Sequence, residues 1–301
     1  MRIRTLNQMF EVLKGRASKR LIVALANDEH TIEAVHKAIQ LELIEGILVG
    51  NKAVVQKILQ ELEMDPTRFR IVHEPDESRA LSRAVSLINE GEGDLIMKGL
   101  VSTDKYMKAL LDKEKGLIDP GAILSHVSVL ELENYHKLLV IGDVAIIPLP
   151  ELKEKVAIAN YLIDTAHALG IDHPKVAVLA ATERVLPGMQ ACIDAAILSK
   201  MAERGQIKGG VIDGPLALDV AIDKESSGIK KIKSDVAGDA DCLLFPNIES
   251  GNVFYKYHTK LAGGELGAVV AGARVPAILS SRGDNVNTKL YSIALGALLA
   301  R

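Results

Sequence analysis

Short runs of aliphatic and β-branched residues alternate with segments of helical hydrophobic spacing along almost the whole chain. In the first part, Ile32, Val35 and Ile39 recur at helical spacing, and Asp76 stands as an N-cap before another helical segment. The apolar runs between such segments are 21–26, 46–49, 70–73 and 94–97. This alternation predicts repeated βα units around a mostly parallel sheet.

The pattern changes in the middle of the chain, where the apolar runs 122–130 and 137–148 are separated only by residues 131–136. So short a link predicts an antiparallel pair of strands. A long helix follows, and Gly170 is placed to end it. The alternation then resumes with a helix opened by Pro187 and a last helix from about residue 285 to 299. The strands predicted in this part are 176–180, 210–212, 242–245, 266–271 and 276–280. We place a domain boundary at residue 150.

Composition supports an α/β protein with a core of Ala, Val, Ile and Leu. Of the 301 residues, 48% are hydrophobic but only 3% are aromatic, and Trp is absent. Such a core is typical of buried parallel sheets covered by helices. The 36 basic and 39 acidic side chains are spread along the chain, so no field exists to attract nucleic acid.

The two cysteines and the hydropathy pattern indicate a reducing compartment. Cys192 and Cys242 each lie in an apolar run without another Cys or a His at metal-ligand spacing, so we expect core thiols rather than a disulfide or a zinc site. No secretory signal and no apolar stretch of membrane-spanning length is found. We therefore expect a cytoplasmic protein without a membrane partner.

Polar residues follow the predicted strands 94–97, 210–212, 242–245 and 276–280 and also the apolar residues 122–124. The ends of strands are where open α/β sheets bind ligands. Each group taken alone could be an ordinary turn, with Thr103, Asn252, and either Asp284 or Asn285 capping the next helix. A helix N-terminus with a hydroxyl and a guanidinium beside it also forms an anion site. The groups are Lys98 with Thr103, Ser125 with His126, Asp213–Pro215, Asn252 with Lys256, and Ser281, Arg282 and Asp284. Five such polar groups are more than the turns alone require. We expect their side chains to converge on one cleft.

Several motifs of well-known enzyme classes are missing. The chain has no GxGxxG after a strand, no GxxxxGK[ST], no HExxH, no CxxC and no GxSxG. Dinucleotide-binding, P-loop, zinc-protease and α/β-hydrolase sites are therefore disfavoured. Asp235, Asp239 and Asp241 have the composition of a divalent-metal cluster, but a solvated loop or a helix cap explains them better.

Five segments carry a resemblance to a known family: MKGLVST at 97–103, SHVSVLE at 125–131, DGPLALDVAI at 213–222, AGDADCLLFPNIESGNVFYK at 237–256 and SSRGD at 280–284. In this order they resemble the phosphate acetyl/butyryltransferases, most of all the butyryl branch. The resemblance implies an isocitrate/isopropylmalate dehydrogenase-like fold of two three-layer α/β/α domains with a cleft between them. It implies that the last helix returns to the first domain. The first domain then consists of residues 1–150 and 285–301, and the second consists of residues 151–284. It also implies homodimers or larger assemblies.

The same resemblance implies reversible transfer of a short acyl group, butyryl or branched, between coenzyme A and inorganic phosphate. Acyl-CoA and phosphate are then substrates, and neither a cofactor nor a metal is expected. Ser281 and Arg282 match the functional serine and arginine of the family. The aspartate proposed as base, seven residues after the serine, is replaced here by Thr288, so Asp284 is the nearest carboxylate. Lys98, Thr103, Ser125, His126, Asn252 and Lys256 are the candidate substrate-binding residues.

Other interpretations stay open at this point. The acyl group could be acetyl, and Cys192 could carry it, although its position on an apolar helical stripe favours an inert thiol. His126 could shuttle a proton or be a structural residue. A dehydrogenase on the same scaffold would need an arginine cluster that the sequence lacks. A coenzyme A-binding protein without catalysis is the remaining alternative.

Overall fold

The computed structural model describes residues 1–279 and 283–301, which form two compact units. The central unit consists of Ser125–Glu265 with Met1–Thr5, and the terminal unit consists of Leu6–Leu124 with Leu266–Arg301. The chain therefore passes from one unit to the other near residues 124 and 265, not near 150 and 284. The reason is that the antiparallel strand pair after residue 124 pairs with strands of the second half of the chain.

Helices and strands alternate through both units. Up to residue 124 they are α1 (Asn7–Leu13), β1 (Lys19–Ala24), α2 (Glu29–Gln40), β2 (Ile44–Gly50), α3 (Lys52–Glu61), a short 3₁₀ helix (Pro66–Arg68), β3 (Phe69–His73), α4 (Glu77–Asn89), β4 (Leu95–Lys98) and α5 (Thr103–Leu110). The next are β5 (Ser125–Glu131), β6 (Leu139–Gly142), α6 (Leu152–Ala168), β7 (Lys175–Leu179), α7 (Gln190–Glu203), β8 (Val211–Leu216), α8 (Leu218–Ile222), α9 (Lys224–Ile229), β9 (Cys242–Leu244) and α10 (Ile248–Lys260). The last are β10 (Glu265–Ala271), β11 (Ala277–Ile278) and α11 (Val286–Leu299).

Each unit is built on a mixed sheet in which most neighbouring strands are parallel. In the terminal unit the order is β3-β2-β1-β4-β11-β10, and β10 is antiparallel to β11. In the central unit it is β5-β6-β9-β7-β8, and β5 is antiparallel to β6. Strands β4, β6 and β9 are buried at every residue, so both of their faces are covered. The prediction of an α/β fold is confirmed.

The ends of most helices and strands lie close to the predicted positions. Asp76 caps α4, because its carboxylate accepts a hydrogen bond from Arg79 N at 2.9 Å. Gly170 follows α6 with a φ of 77°, a conformation that ends helices. The prediction that Pro187 opens a helix is wrong. A separate turn closes there, with Met189 N donating to Leu186 O, and α7 begins at Gln190.

The described residues include no helix that is long and apolar enough to cross a bilayer. Cys192 and Cys242 are free thiols with no exposed surface, as predicted for core residues. Burial raises the pKa of the Cys242 thiol well above its usual range.

Candidate active site

Strand direction in the central unit places two predicted site residues, Ser125 and His126, at one edge of its sheet. Since β5 is antiparallel to β6 and β6 is parallel to β9, the start of β5 lies beside the ends of β6 and β9. Ser125 and His126 begin β5, Asp143 directly follows β6, and Asn247 follows β9. This edge is where ligands bind in open α/β sheets.

Asp143 connects the segments at this edge, and it is not among the residues predicted from the sequence. Its carboxylate is 2% exposed and accepts four hydrogen bonds. Ser125 Oγ and His126 N donate to Oδ2 at 2.9 and 3.0 Å. Ala145 N and Ile146 N donate to Oδ1 at 2.7 and 2.8 Å. The carboxylate therefore fixes both the Ser125 hydroxyl and the turn after β6.

The His126 ring is held between β5 and α10. It is 4% exposed, and its Nδ1 lies 3.3 Å from Ser128 Oγ. The ring meets the Tyr255 ring edge to face, with centroids 6.0 Å apart and planes at 85°. The structure thus brings His126 together with α10, the helix that carries Asn252 and Lys256.

The prediction that Asn252 caps α10 is wrong. Asn247 is the cap, since its Oδ1 accepts from Ser250 N at 3.0 Å and its backbone is extended. Asn252 lies in the helix, where its Nδ2 donates to Val144 O at 2.9 Å. Helix and turn approach closely, because a Cβ on Gly251 would lie 2.4 Å from Asp143 O. Lys256 is exposed, with Nζ 5.1 Å from the centre of the Tyr255 ring.

Lys98 and Thr103 belong to the terminal unit. Lys98 is 3% exposed, and its Nζ donates to Gly99 O at 3.2 Å and Val101 O at 3.1 Å, so it ties down the loop between β4 and α5. The prediction that Thr103 caps α5 is wrong, because Ser102 Oγ accepts from Lys105 N and Thr103 is already the first helical residue. The Thr103 side chain is exposed.

The start of α11 carries Asp284 and a buried lysine, Lys289, that the sequence pattern does not predict as a site residue. Asn285 is the cap, since its Oδ1 accepts from Thr288 N at 2.8 Å, so Asp284 precedes the helix without capping it. Lys289 is 3% exposed. Burial lowers its pKa, and the nearby carboxylates of Asp28 and Asp284 oppose that shift. Ser281 and Arg282 lie outside the described residues.

Other aspartates singled out in the sequence have structural partners. Asp213 Oδ1 accepts from Gly214 N at 2.8 Å. The prediction of a solvated loop or a helix cap is wrong for Asp241, which is 3% exposed and pairs with Lys137 at 2.7 Å and Arg2 at 2.8 Å. Asp239 is partly buried and pairs with Lys175 at 2.8 Å. Within residues 1–279 and 283–301, no three His, Cys, Asp or Glu residues are grouped to hold a metal ion.

Comparisons with known proteins agree along the whole chain. The family model described as phosphate acetyl/butaryl transferase matches residues 72–297. A phosphate butyryltransferase of Clostridium acetobutylicum is 44% identical over 298 residues, 99% of each chain. A phosphate acetyltransferase of Thermotoga maritima is 40% identical over 98% of this chain and 99% of its own. The crystal structure of a branched-chain phosphotransacylase from Enterococcus faecalis, 27% identical, superposes with a TM-score of 0.81 and covers 93% of this chain and 98% of its own.

Proposed function

This chain belongs to the phosphate acetyl/butaryl transferase family, and we propose that it transfers a butyryl or branched-chain acyl group reversibly between coenzyme A and inorganic phosphate. The observation that carries the proposal is the 44% identity to a phosphate butyryltransferase over 99% of both chains. The branched-chain alternative rests on the structural likeness to a branched-chain phosphotransacylase. An isocitrate/isopropylmalate dehydrogenase-like arrangement stays a proposal, supported by the mixed α/β sheet of each unit.

The reaction makes three demands on the protein. A phosphate oxygen attacks the thioester carbon, a C–O bond forms, the C–S bond breaks, and the coenzyme A thiolate leaves and takes up a proton. The site must therefore hold the phosphate with a cation, stabilise the oxyanion with a hydrogen-bond donor, and supply a group that handles the thiol proton.

Three residues near the start of α11 would meet these demands. Arg282 would hold the phosphate through two parallel hydrogen bonds. Ser281 would donate to the oxyanion, and removal of such a donor typically costs about 3 kcal/mol of transition-state stabilisation. Asp284 would handle the thiol proton, which is supported by its position directly before α11. No acyl-enzyme is required, because positioning of both substrates supplies much of the rate.

The six candidate substrate-binding residues differ in how they could act. Thr103 and Lys256 are exposed and could contact a ligand directly. An exposed ammonium such as that of Lys256 suits the phosphates of coenzyme A. Lys98, Ser125, His126 and Asn252 make hydrogen bonds within the protein and would act mainly by shaping the site.

The acyl preference is the finer part of the proposal. The 40% identity to a phosphate acetyltransferase keeps acetyl transfer as the second candidate. One methylene group changes binding in an apolar pocket by about 1–3 kcal/mol. We expect kcat/KM to be higher for butyryl-CoA or a branched acyl-CoA than for acetyl-CoA, and a panel of acyl-CoA substrates measures this difference.

Release of free thiol from butyryl-CoA tests the proposed reaction. We expect release that depends on added phosphate and produces an equal amount of acyl phosphate. A dehydrogenase or a coenzyme A-binding protein without catalysis would release none. Thiol release at the same rate without phosphate would indicate a thioesterase and would contradict the proposal.

A further inference from the structure

Lys289 is a buried cation to which the proposed reaction assigns no role. It is the fourth residue of α11 and is 3% exposed. Burial of an ammonium group is costly unless carboxylates or carbonyl groups compensate its charge. The position adds to this cost, because the N-terminal end of a helix carries a positive partial charge that disfavours a cation. A residue that conflicts with its local structure in this way is typical of a functional site.

The start of α11 lies beside the start of α2. Strands β1 and β11 are both parallel to β4 and lie on either side of it, so they end at the same edge of the terminal unit's sheet. The helix that follows each of these strands begins at this edge, and the two helices pack against each other. Lys289 therefore lies where two helix N-termini meet, at the edge where open α/β sheets bind ligands.

Two aspartates supply negative charge to Lys289. Asp28 caps α2, since its Oδ1 accepts a hydrogen bond from Thr31 N at 2.9 Å, and Asp284 directly precedes the cap of α11. Both carboxylates attract the Lys289 ammonium, and both are only partly buried. The ammonium is thus a buried link between two partly exposed carboxylates that lie far apart in the sequence.

Another buried lysine of the described chain, Lys137, has a different setting. It pairs with Asp241 at 2.7 Å. Lys137 precedes β6 and Asp241 precedes β9, and these strands are parallel, so the pair lies at the edge opposite the carboxyl ends of the strands. That pair joins structural elements away from the ligand edge. The carboxylates near Lys289, in contrast, include Asp284, the residue proposed to handle the thiol proton.

We propose that Lys289 is a positioning residue for the acyl transfer: its ammonium, anchored by Asp28, holds the Asp284 carboxylate where it exchanges the thiol proton. The inference rests on the proposed function. In acyl-CoA formation the S–H bond breaks, the proton moves to Asp284, and the thiolate attacks the carbonyl carbon of the acyl phosphate. The C–S bond forms, the C–O bond breaks and phosphate leaves. In the reverse direction Asp284 returns the proton to the leaving thiolate.

The kinetics of Lys289→Met test the proposal, because Met is an unbranched side chain without charge. The assay is thiol release from butyryl-CoA with added phosphate. We expect kcat to fall about tenfold or more, since the group that carries the proton is misplaced. Both KM values should stay within about threefold of wild type, since Lys289 does not contact the substrates.

A double variant distinguishes positioning from a merely structural role. If Lys289 acts through Asp284, its removal has little left to disturb once Asp284 is replaced. In the Asp284→Asn background, Lys289→Met should therefore lower kcat by less than about twofold further. A structural role would instead multiply the two losses.

Asp28→Asn tests the anchor while keeping the helix cap, because Asn caps helices as well as Asp does. We expect it to lower kcat about threefold or more. The matched control is Asp76→Asn at the start of α4, where Asp76 Oδ1 accepts from Arg79 N at the same distance of 2.9 Å. Asp76 is exposed, and this variant should keep the wild-type kcat.

Thermal melts establish which variants are folded, and the comparison of the two cap variants decides the matter if Lys289→Met does not fold. A wild-type kcat in folded Lys289→Met, equal kcat values for the two cap variants, or losses that multiply in the double variant would overturn this inference while the proposed function stands. A wild-type chain that releases no thiol with phosphate would overturn both.

Discussion

Asp143 accepts two hydrogen bonds on each oxygen, and all four come from donors at the edge of the central sheet. An ionised carboxylate suits this position because it is an acceptor at both oxygens. An amide there would accept on one oxygen only, and its NH₂ group would face at least one backbone N–H donor. Two acceptor oxygens are therefore required at this residue.

The first prediction is that Asp143→Asn destabilises the protein nearly as much as Asp143→Ala, although Asn has almost the same volume as Asp. Both variants leave buried donors without an acceptor, and we expect each to lower the free energy of unfolding by about 3 kcal/mol. Urea unfolding measures this. Ser125→Ala removes one donor but no acceptor and should cost about 1 kcal/mol. An Asn variant as stable as the wild type would show that the second acceptor oxygen is not needed.

The element next to Asp143 is α10, which approaches the turn after β6 at Gly251. A Cβ there would lie 2.4 Å from Asp143 O and 3.2 Å from a methyl group of Val144. The backbone oxygen cannot move away without disturbing the turn that Asp143 holds. Glycine at this position therefore sets the distance between the helix and the turn.

We accordingly expect Gly251→Ala to displace α10 and to lower the free energy of unfolding by about 1–3 kcal/mol, even though alanine favours helices. The matched control is Gly228→Ala in α9, where a Cβ would meet no atom within 4 Å. That variant should be neutral or slightly stabilising. Thermal denaturation of the two variants compares them directly, and equal effects would argue against close contact at Gly251.

The sequence predicts the order and type of the elements well, because hydrophobic periodicity determines which faces are buried. It predicted caps less well. Ser102 and Thr103 are both residue types that cap helices. The hydrophobic pattern does not fix the first residue of α5 to within a few positions, so it cannot decide which of the two is the cap. Lys289 was missed because its surroundings include Asp28 from a distant part of the chain. The sequence pattern does not predict Asp143 as a site residue, although a carboxylate inside the apolar run 137–148 offers a signal.

Across the whole chain, one ion-pair network joins segments that are far apart in sequence. Asp241 forms ion pairs with Lys137, in the link between β5 and β6, and with Arg2, near residue 1. Lys175 at the start of β7 meets Asp239 at 2.8 Å. Burial raises the pKa of Asp239, but hydrogen bonds from Lys175 and Lys137 outweigh burial, so the pKa lies below that of a free aspartate.

This lowered pKa predicts how stability depends on pH. The charged form of Asp239 stabilises the folded state above the unfolded pKa of about 4, and this contribution is lost as pH falls through the lower folded pKa. Asp239→Asn should therefore reduce the free energy of unfolding by about 2 kcal/mol at pH 7. The difference from wild type should shrink below about pH 4. Asp172→Asn, at an exposed position, should show no such trend. A difference between wild type and Asp239→Asn that is independent of pH would contradict the assignment.

The central claim for the whole molecule is that Arg282 holds the phosphate during acyl transfer. The most direct test is the initial rate of thiol release from butyryl-CoA at varied phosphate, measured for the wild type, Arg282→Ala and the surface control Arg204→Ala. We expect Arg282→Ala to lower kcat/KM for phosphate about 100-fold or more with folding intact, and Arg204→Ala to behave as wild type. A phosphate dependence unchanged by Arg282→Ala would contradict the account.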